Sequence, residues 1–260
     1  MSNQSENHSQ IIDLLSIMKK LRAQCPWDRA QSPQSLRQYI IEEAYEVVET
    51  IDNHTWENLA GELGDLLLQI VFQCQIAEEN SRFSFSDVVQ KIIEKMINRH
   101  PHVFGNTHVQ SAKDVADNWE HIKIHNEDRE SLLSGIPESA PALLRAQRLQ
   151  EKASRVGFDW DDTGQVLEKI HEELTELKDA LQKGTQIQIE EELGDFLFST
   201  VNLCRFLNVI AEDALRSTNR KFVERFTAIE NHFNRDYESI KNASLEELDK
   251  IWEKTKNLNE

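Results

Sequence analysis

The chain has little of what a β-rich or loop-rich protein needs: 8 Gly, 5 Pro and 7% aromatic residues among its 260. Few helix breakers and abundant Glu, Lys, Gln and Leu favour an all-α, globular protein instead. No apolar run approaches the roughly 18–20 residues of a membrane span. The polar opening over residues 1–10 has neither a basic region nor an apolar signal core, so a disordered, frayed tail is expected there. The expected location is cytoplasmic, with no membrane partner. Cysteine is scarce too. Cys25, Cys74 and Cys204 are an odd count without metal-ligand spacing, which fits a reducing compartment. Cys74 and Cys204 fall on apolar stripes and read as buried thiols.

Positive charge is the largest deficit: 29 Lys and Arg face 46 Asp and Glu, for a net charge of −17. That balance argues against stable nucleic-acid binding, where basic patches supply most of the attraction. A small anionic substrate remains open, because a metal ion and a few local cations invert the field inside one pocket. Also missing are the Gly-x-x-x-x-Gly-Lys-Ser/Thr loop of P-loop enzymes and any Ser-His-Asp or Cys-His order.

What the chain does have is one acidic phrase written twice. Glu42-Glu43-Ala44-Tyr45-Glu46 is followed by Gly61-Glu62-Leu63-Gly64-Asp65, and Glu172-Glu173-Leu174-Thr175-Glu176 by Glu191-Glu192-Leu193-Gly194-Asp195. Fifteen residues separate Glu46 from Glu62, and fifteen separate Glu176 from Glu192. Each phrase lies on a helical pattern: Ile40, Ala44, Val47, Val48 and Ile51 form one stripe, and Leu63, Leu66, Leu67, Ile70, Val71 and Cys74 the next. Glu43 and Glu46, three apart, share a different face from their stripe. Leu68, Phe72 and Ile76 add apolar bulk on the side of Glu62 and Asp65, so a helix pair from the sister repeat or a second subunit is expected to cover that side.

The surrounding pattern also repeats. An opening helix over Ile11–Leu21 ends at the Cys25-Pro26-Trp27-Asp28 loop, and Ser32-Pro33 reads as an N-cap with proline in the first turn. Gly61 and Gly64 each cost about 1 kcal/mol against Ala in a helix, which predicts a close backbone approach or a helix start. A fourth helix is expected over Asp87–Arg99, and a further one from Ser111 to about Lys123 carrying Trp119. The second half replays this, with Leu143–Val156 as its opening helix and Gly157-Phe158-Asp159-Trp160-Asp161 in place of the Cys-Pro-Trp-Asp loop. Lys221-Phe222-Val223-Glu224-Arg225 resembles Lys95-Met96-Ile97-Asn98-Arg99, and Trp252 corresponds to Trp119. The implied organisation is a tail over 1–10, a repeat over 11–128, a linker over 129–140 and a repeat over 141–260.

Four converging carboxylates repel unless a cation neutralises them. Two of them about 4 Å apart cost roughly 4 kcal/mol at an effective dielectric near 20. All-oxygen ligands select Mg2+, Mn2+ or Ca2+ over Zn2+, and Mg2+, which keeps several waters, suits a site where phosphates complete the shell. A ferritin-like di-iron centre needs Glu-x-x-His on two helices, whereas both halves here have Glu-x-x-Asp. Redox iron is disfavoured. A surface-charge explanation serves for a single motif but not for a pair with identical spacing. The recurring Lys-Arg pairs at i, i+4 add candidate phosphate contacts.

Glu-Glu-x-x-Glu followed by Glu-x-x-Asp on adjacent helices resembles the all-α nucleoside triphosphate pyrophosphohydrolases of the MazG family. The Cys-Pro-Trp-Asp, Glu-Leu-Gly-Asp and Arg-His-Pro-His-Val-Phe segments are similar to those of two-repeat bacterial members, and the likeness covers about Ile11 to Lys256. It implies Mg2+-dependent cleavage of a nucleoside triphosphate to the monophosphate and pyrophosphate, with Mn2+ as a substitute ion, in a homodimer of intertwined helical bundles. It implies metal ligands Glu173, Glu176, Glu192 and Asp195 in the second half and Glu43, Glu46, Glu62 and Asp65 in the first. Glu172 and Glu42 are then candidates to hold or deprotonate the attacking water. Lys169, Glu173, Glu191, Lys221, Arg225 and Trp252 would face the substrate, with Lys95, Arg99 and Trp119 as first-half counterparts. Trp27 and Trp160 read as structural anchors. The competing expectation is a noncatalytic nucleotide- or alarmone-responsive binding protein on the same scaffold.

Overall fold

Local capping explains where several helices begin. In the computed structural model, which describes residues 2–109, 111, 115 and 131–256, Ser84 and Asp87 form a reciprocal capping box that opens a helix over Phe85–Arg99. Thr185 and Gln188 do the same for Gln186–Phe206. Asp162 accepts the Gln165 N–H at the start of Thr163–Lys183. No strand occurs among the described residues.

The helices in chain order are α1 (Ser2–Gln24), α2 (Pro26–Ala30), α3 (Arg37–Asp52), α4 (Trp56–Glu79), α5 (Phe85–Arg99) and α6 (Pro101–Phe104) in the first half. The second half has α7 (Ala142–Ser154), α8 (Thr163–Lys183), α9 (Gln186–Phe206), α10 (Ala211–His232), α11 (Tyr237–Asn242) and α12 (Leu245–Lys256). Two compact units result, residues 1–127 and 128–260. In each, the two acid-bearing helices pack along one another as an antiparallel hairpin, α3 on α4 and α8 on α9. The opening helix of each half, α1 or α7, lies against the second of these.

The first unit's core is Met18, Leu36, Val71, Phe72 and Ile76, with Leu14, Leu15, Tyr39, Leu67, Leu68 and Phe85 packed around it. The second buries Val166, Val201, Ala211 and Ile229. It also buries two glutamines. Gln147 accepts the Ala211 N–H at 2.9 Å and donates to the Val209 carbonyl at 3.2 Å, tying α7 to the start of α10. Gln150 donates to the Phe198 carbonyl at 2.8 Å, tying α7 to α9.

Helix α1 runs from Ser2 to Gln24, and residues 2–10 contain no Gly or Pro to break it. Several other expectations need correction. The Cys-Pro-Trp-Asp loop is largely a short helix, with Pro26 in its first turn. Ser32 and Ser35 make a hydrogen-bonded turn, and α3 begins later, at Arg37. Lys152 Nζ donates to the Ser134 carbonyl at 2.7 Å, which fastens the stretch around Ser134 to α7. Gly61 and Gly64 lie inside α4 with open space where a Cβ would stand, so neither a close approach nor a helix start accounts for them. The expected helix around Trp119 lies outside the described residues.

No single helix among the described residues is long and apolar enough to cross a membrane; α9 and α10 pass such a test only as a pair bent by 103°.

Candidate active site

The hairpins bring the acids together, three at a time. In the second unit Glu173, Glu176 and Glu192 each place a carboxylate oxygen within 4.8 Å of the others. In the first, Glu43, Glu62 and Asp65 do the same. The fourth expected ligand stands just outside in each. Asp195 and Glu46 are still close enough to raise the pKa of Glu192 and Glu43 respectively. Desolvation is the larger cause for both, followed by Glu176 and then Asp195 for Glu192, and by Asp65 and then Glu46 for Glu43. The spacing suits a hard cation: ligand oxygens on opposite sides of an octahedral Mg2+ are about 4.2 Å apart, and more around Ca2+. A donor set of carboxylates alone fits these ions and not a soft one.

The nearest cation in the second unit is Lys169. Its Nζ lies 2.9 Å from Glu173 and 3.0 Å from Glu172. The hydrogen bond Lys169 donates to Glu173, then the one it donates to Glu172, pushes its pKa well above the ordinary value. Glu173 is 5% exposed, so its charge is buried against this ammonium. Lys169 therefore answers the acids directly instead of standing free one turn away. Glu172 is an exposed member of the same pair, and Glu191 is exposed beside Glu192 and contributes to its raised pKa. Glu42 is exposed and acts on Glu43 in the same way.

Beside these acids the second unit holds a cavity of about 560 Å3. Lys169, Glu173 and Asp195 line it together with Phe158, Trp160, Val166 and Phe198. Asn202 and Arg205 also face it. Arg205 is bidentate to Asp159, with Nη1 2.9 Å from Oδ2, and its Nε donates to Asn202 Oδ1 at 2.9 Å. That clamp holds the 157–161 segment against α9. Trp160, expected to be an anchor, is part of a cavity wall.

Arg225 and Trp252 form a separate group, and Lys221 is exposed on α10. Arg225 sits over the Trp252 ring at 5.5 Å and Phe222 meets the same ring edge-on at 5.3 Å, through the packing of α10 on α12. None of the three lines the cavity. Lys95 is exposed on α5 and Arg99 half-buried near its end; Trp119 lies outside the described residues. The sequence reading missed Phe158, Asp159, Asn202 and Arg205. A signal for two of them was present in the repeat: at the shared offset of 130 residues, Asn202 replaces Phe72 and Arg205 replaces Gln75.

The fold and site define an all-α protein of duplicated acidic hairpins, with a cavity beside the acids of the second unit. The family profile described as the MazG nucleotide pyrophosphohydrolase domain matches this chain twice, over residues 31–104 and 163–228. The chain belongs to that family. It is 48% identical over 248 residues to the Thermotoga maritima nucleoside triphosphate pyrophosphohydrolase/pyrophosphatase MazG, covering 94% of each protein. It is 40% identical over 256 residues to the Escherichia coli K12 nucleoside triphosphate pyrophosphohydrolase, covering 95% of this chain and 97% of that one. It is also 43% identical over 246 residues to Bacillus subtilis YabN, a protein of which it spans 50%.

Proposed function

We propose that this protein hydrolyses nucleoside triphosphates to the monophosphate and pyrophosphate, clearing unwanted members of the nucleotide pool, and that the second unit does the chemistry. The observation that carries this is the cavity joined to the acids. Its volume of about 560 Å3 lies within the roughly 300–1,000 Å3 of small-molecule sites. Its apolar lining suits a planar base and its charged residues a phosphate chain.

Glu173, Glu176, Glu192 and Asp195 would hold the divalent cation, Mg2+ with Mn2+ as a substitute. A bound cation supplies charge neutralisation, substrate orientation and a Lewis acid. The chain's own residues supply the rest. Lys169 offsets the buried charge of Glu173 and lines the cavity, where a phosphate oxygen competes for it. Glu172, exposed and hydrogen-bonded to the same ammonium, is placed to take the proton of an attacking water. Phe158, Trp160 and Phe198 exclude water from the base. The Arg205–Asp159 clamp keeps that wall in place.

A homodimer accompanies this reading. Phe222, Val223 and Phe226 on α10 are 56%, 62% and 41% exposed, an apolar face that a second copy would cover. Neither stable nucleic-acid binding nor a membrane is expected at a net charge of −17. The deciding experiment incubates the protein with a panel of nucleoside triphosphates, with and without Mg2+, and scores pyrophosphate against orthophosphate. Cation-dependent pyrophosphate release is expected. Orthophosphate alone would sink the proposal, and nucleotide binding without turnover would favour the noncatalytic alternative.

A further inference from the structure

The cavity of the second unit carries two hydrogen-bonding groups that the proposed chemistry leaves unused. Gln150 of α7 is 8% exposed and lines the cavity. Its Nε2 donates to the Phe198 carbonyl at 2.8 Å, which fixes the amide with Oε1 turned away from that carbonyl. The Oε1 atom is buried and has no partner. An occupant that displaces water from Gln150 must therefore bring an N–H or O–H of its own, or leave a buried acceptor unpaired.

Asn202 supplies the opposite pole. Its Oδ1 accepts from Arg205 Nε at 2.9 Å, so the side chain offers the cavity its Nδ2 donor. Arg205 is itself held by both oxygens of Asp159, which fixes the Asn202 amide in that sense. Asn202 follows Phe198 by one helical turn on α9. The Phe198 carbonyl that anchors Gln150 points along the helix toward Asn202. A fixed acceptor and a fixed donor thus stand about one helical turn apart on one wall. In the first unit the residue at the Asn202 position is Phe72, a core ring that offers neither.

We propose that Gln150 and Asn202 read the base of the nucleotide, Gln150 Oε1 accepting from a base N–H and Asn202 Nδ2 donating to the ring nitrogen or carbonyl beside it. The base, and not the sugar, is the occupant because the rings of Phe158, Trp160 and Phe198 line the same space. The substrate class is a nucleoside triphosphate whose base-pairing edge is intact. Nucleotides alkylated on that edge, or lacking its N–H, are poor substrates. This inference rests on the reading of the cavity as the nucleoside site and deepens it.

The test compares ATP, CTP, ITP and UTP with analogues whose edge lacks the N–H: the triphosphates of purine riboside, 2-pyrimidinone riboside, 1-methylinosine and 3-methyluridine. Pyrophosphate release gives kcat/KM, and calorimetry with the corresponding monophosphates gives affinity without turnover. For the preferred base, losing the N–H should cost roughly 10- to 100-fold in both. Gln150→Leu should cost the intact nucleotide about as much and leave the analogue nearly unchanged, so that the ratio between them collapses. In case Gln150→Leu unfolds, Gln150→Met, equally long and without the acceptor, gives the same reading. An analogue equal to its parent in the wild type, or a ratio that survives both Gln150 variants, overturns the proposal. So does a loss that instead follows 2′- or 3′-deoxy sugars. Pyrophosphate release indifferent to the N–H would defeat only this inference. Monophosphates discriminated through Gln150 without any pyrophosphate release would defeat only the proposed function.

Discussion

The two units carry the same acidic hairpin and differ in what lies beside it. In the first, Trp27, Tyr39 and Phe72 close the space with aromatic packing, and Glu43 meets the neutral amide of Gln69. In the second, Lys169, Ser199 and Asn202 occupy the positions of Tyr39, Gln69 and Phe72, and a cavity results. The arginine clamps differ as well. Arg22 of α1 ties Glu79 of α4 to the carbonyls of Asp28 and Gln31 and lies over the Phe72 ring at 5.8 Å. Arg205 of α9 holds Asp159, whose neighbours line the cavity. One clamp fastens a core and the other a pocket wall. A duplicated fold can therefore keep its acidic hairpin while the residues beside it diverge between aromatic packing and a cavity.

The largest effect that would break the comparison is loss of turnover. If Glu176 holds the cation as proposed, Glu176→Gln should lower kcat by about 100-fold or more, since losing a ligand forfeits several kcal/mol of charge stabilisation. Glu46→Gln should cost far less, and equal losses measured as pyrophosphate release would show that both units turn over. Next in size is a graft. Lys169→Tyr with Asn202→Phe gives the second unit the first unit's rings, and should cut kcat/KM roughly 10- to 100-fold by displacing the nucleoside. Circular dichroism should meanwhile show the helices retained. The reverse weakness belongs to the first unit. Phe72→Ala should destabilise it by about 3–5 kcal/mol, read as a lower midpoint in thermal or urea unfolding.

The smallest effect is electrostatic. Glu43 and Glu192 have raised pKa values, so each binds its proton more readily folded than unfolded. Their contribution to stability is fully present below the unfolded value and is lost as pH rises through the folded one. Without added cation, the difference in thermal midpoint between wild type and Glu192→Gln should shift against the wild type across that rise. Mn2+ should cancel the shift, because it replaces the proton. A difference independent of pH would mean that the acids do not feel one another.

Much of this was legible from spacing. A period of 3.6 residues, two identical gaps and few helix breakers are local properties, so the duplicated hairpin and its acids could be read directly. Burial was less legible. Leu63 and Ile70 sit on the predicted apolar stripe of α4 yet are 48% and 42% exposed, while Phe72 and Ile76 on the other side are core. The stripe gives a period; which part of it meets another helix depends on the crossing of α1 over α4. Trp160 and Trp27 shared a motif context and were read alike, although only Trp160 lines the cavity, because their difference is set by residues 12 and 45 positions away at Tyr39 and Phe72.

By itself, the sequence determined the helical class, the doubling and the identity of the acids, since each follows from composition and short-range order. Tertiary structure decided which three acids of each four converge, that Lys169 pairs with Glu173, and that one unit holds a cavity where the other holds rings. Those outcomes depend on the volumes of side chains brought together from separate helices, and close packing leaves no room for both a ring and a ligand in the same place.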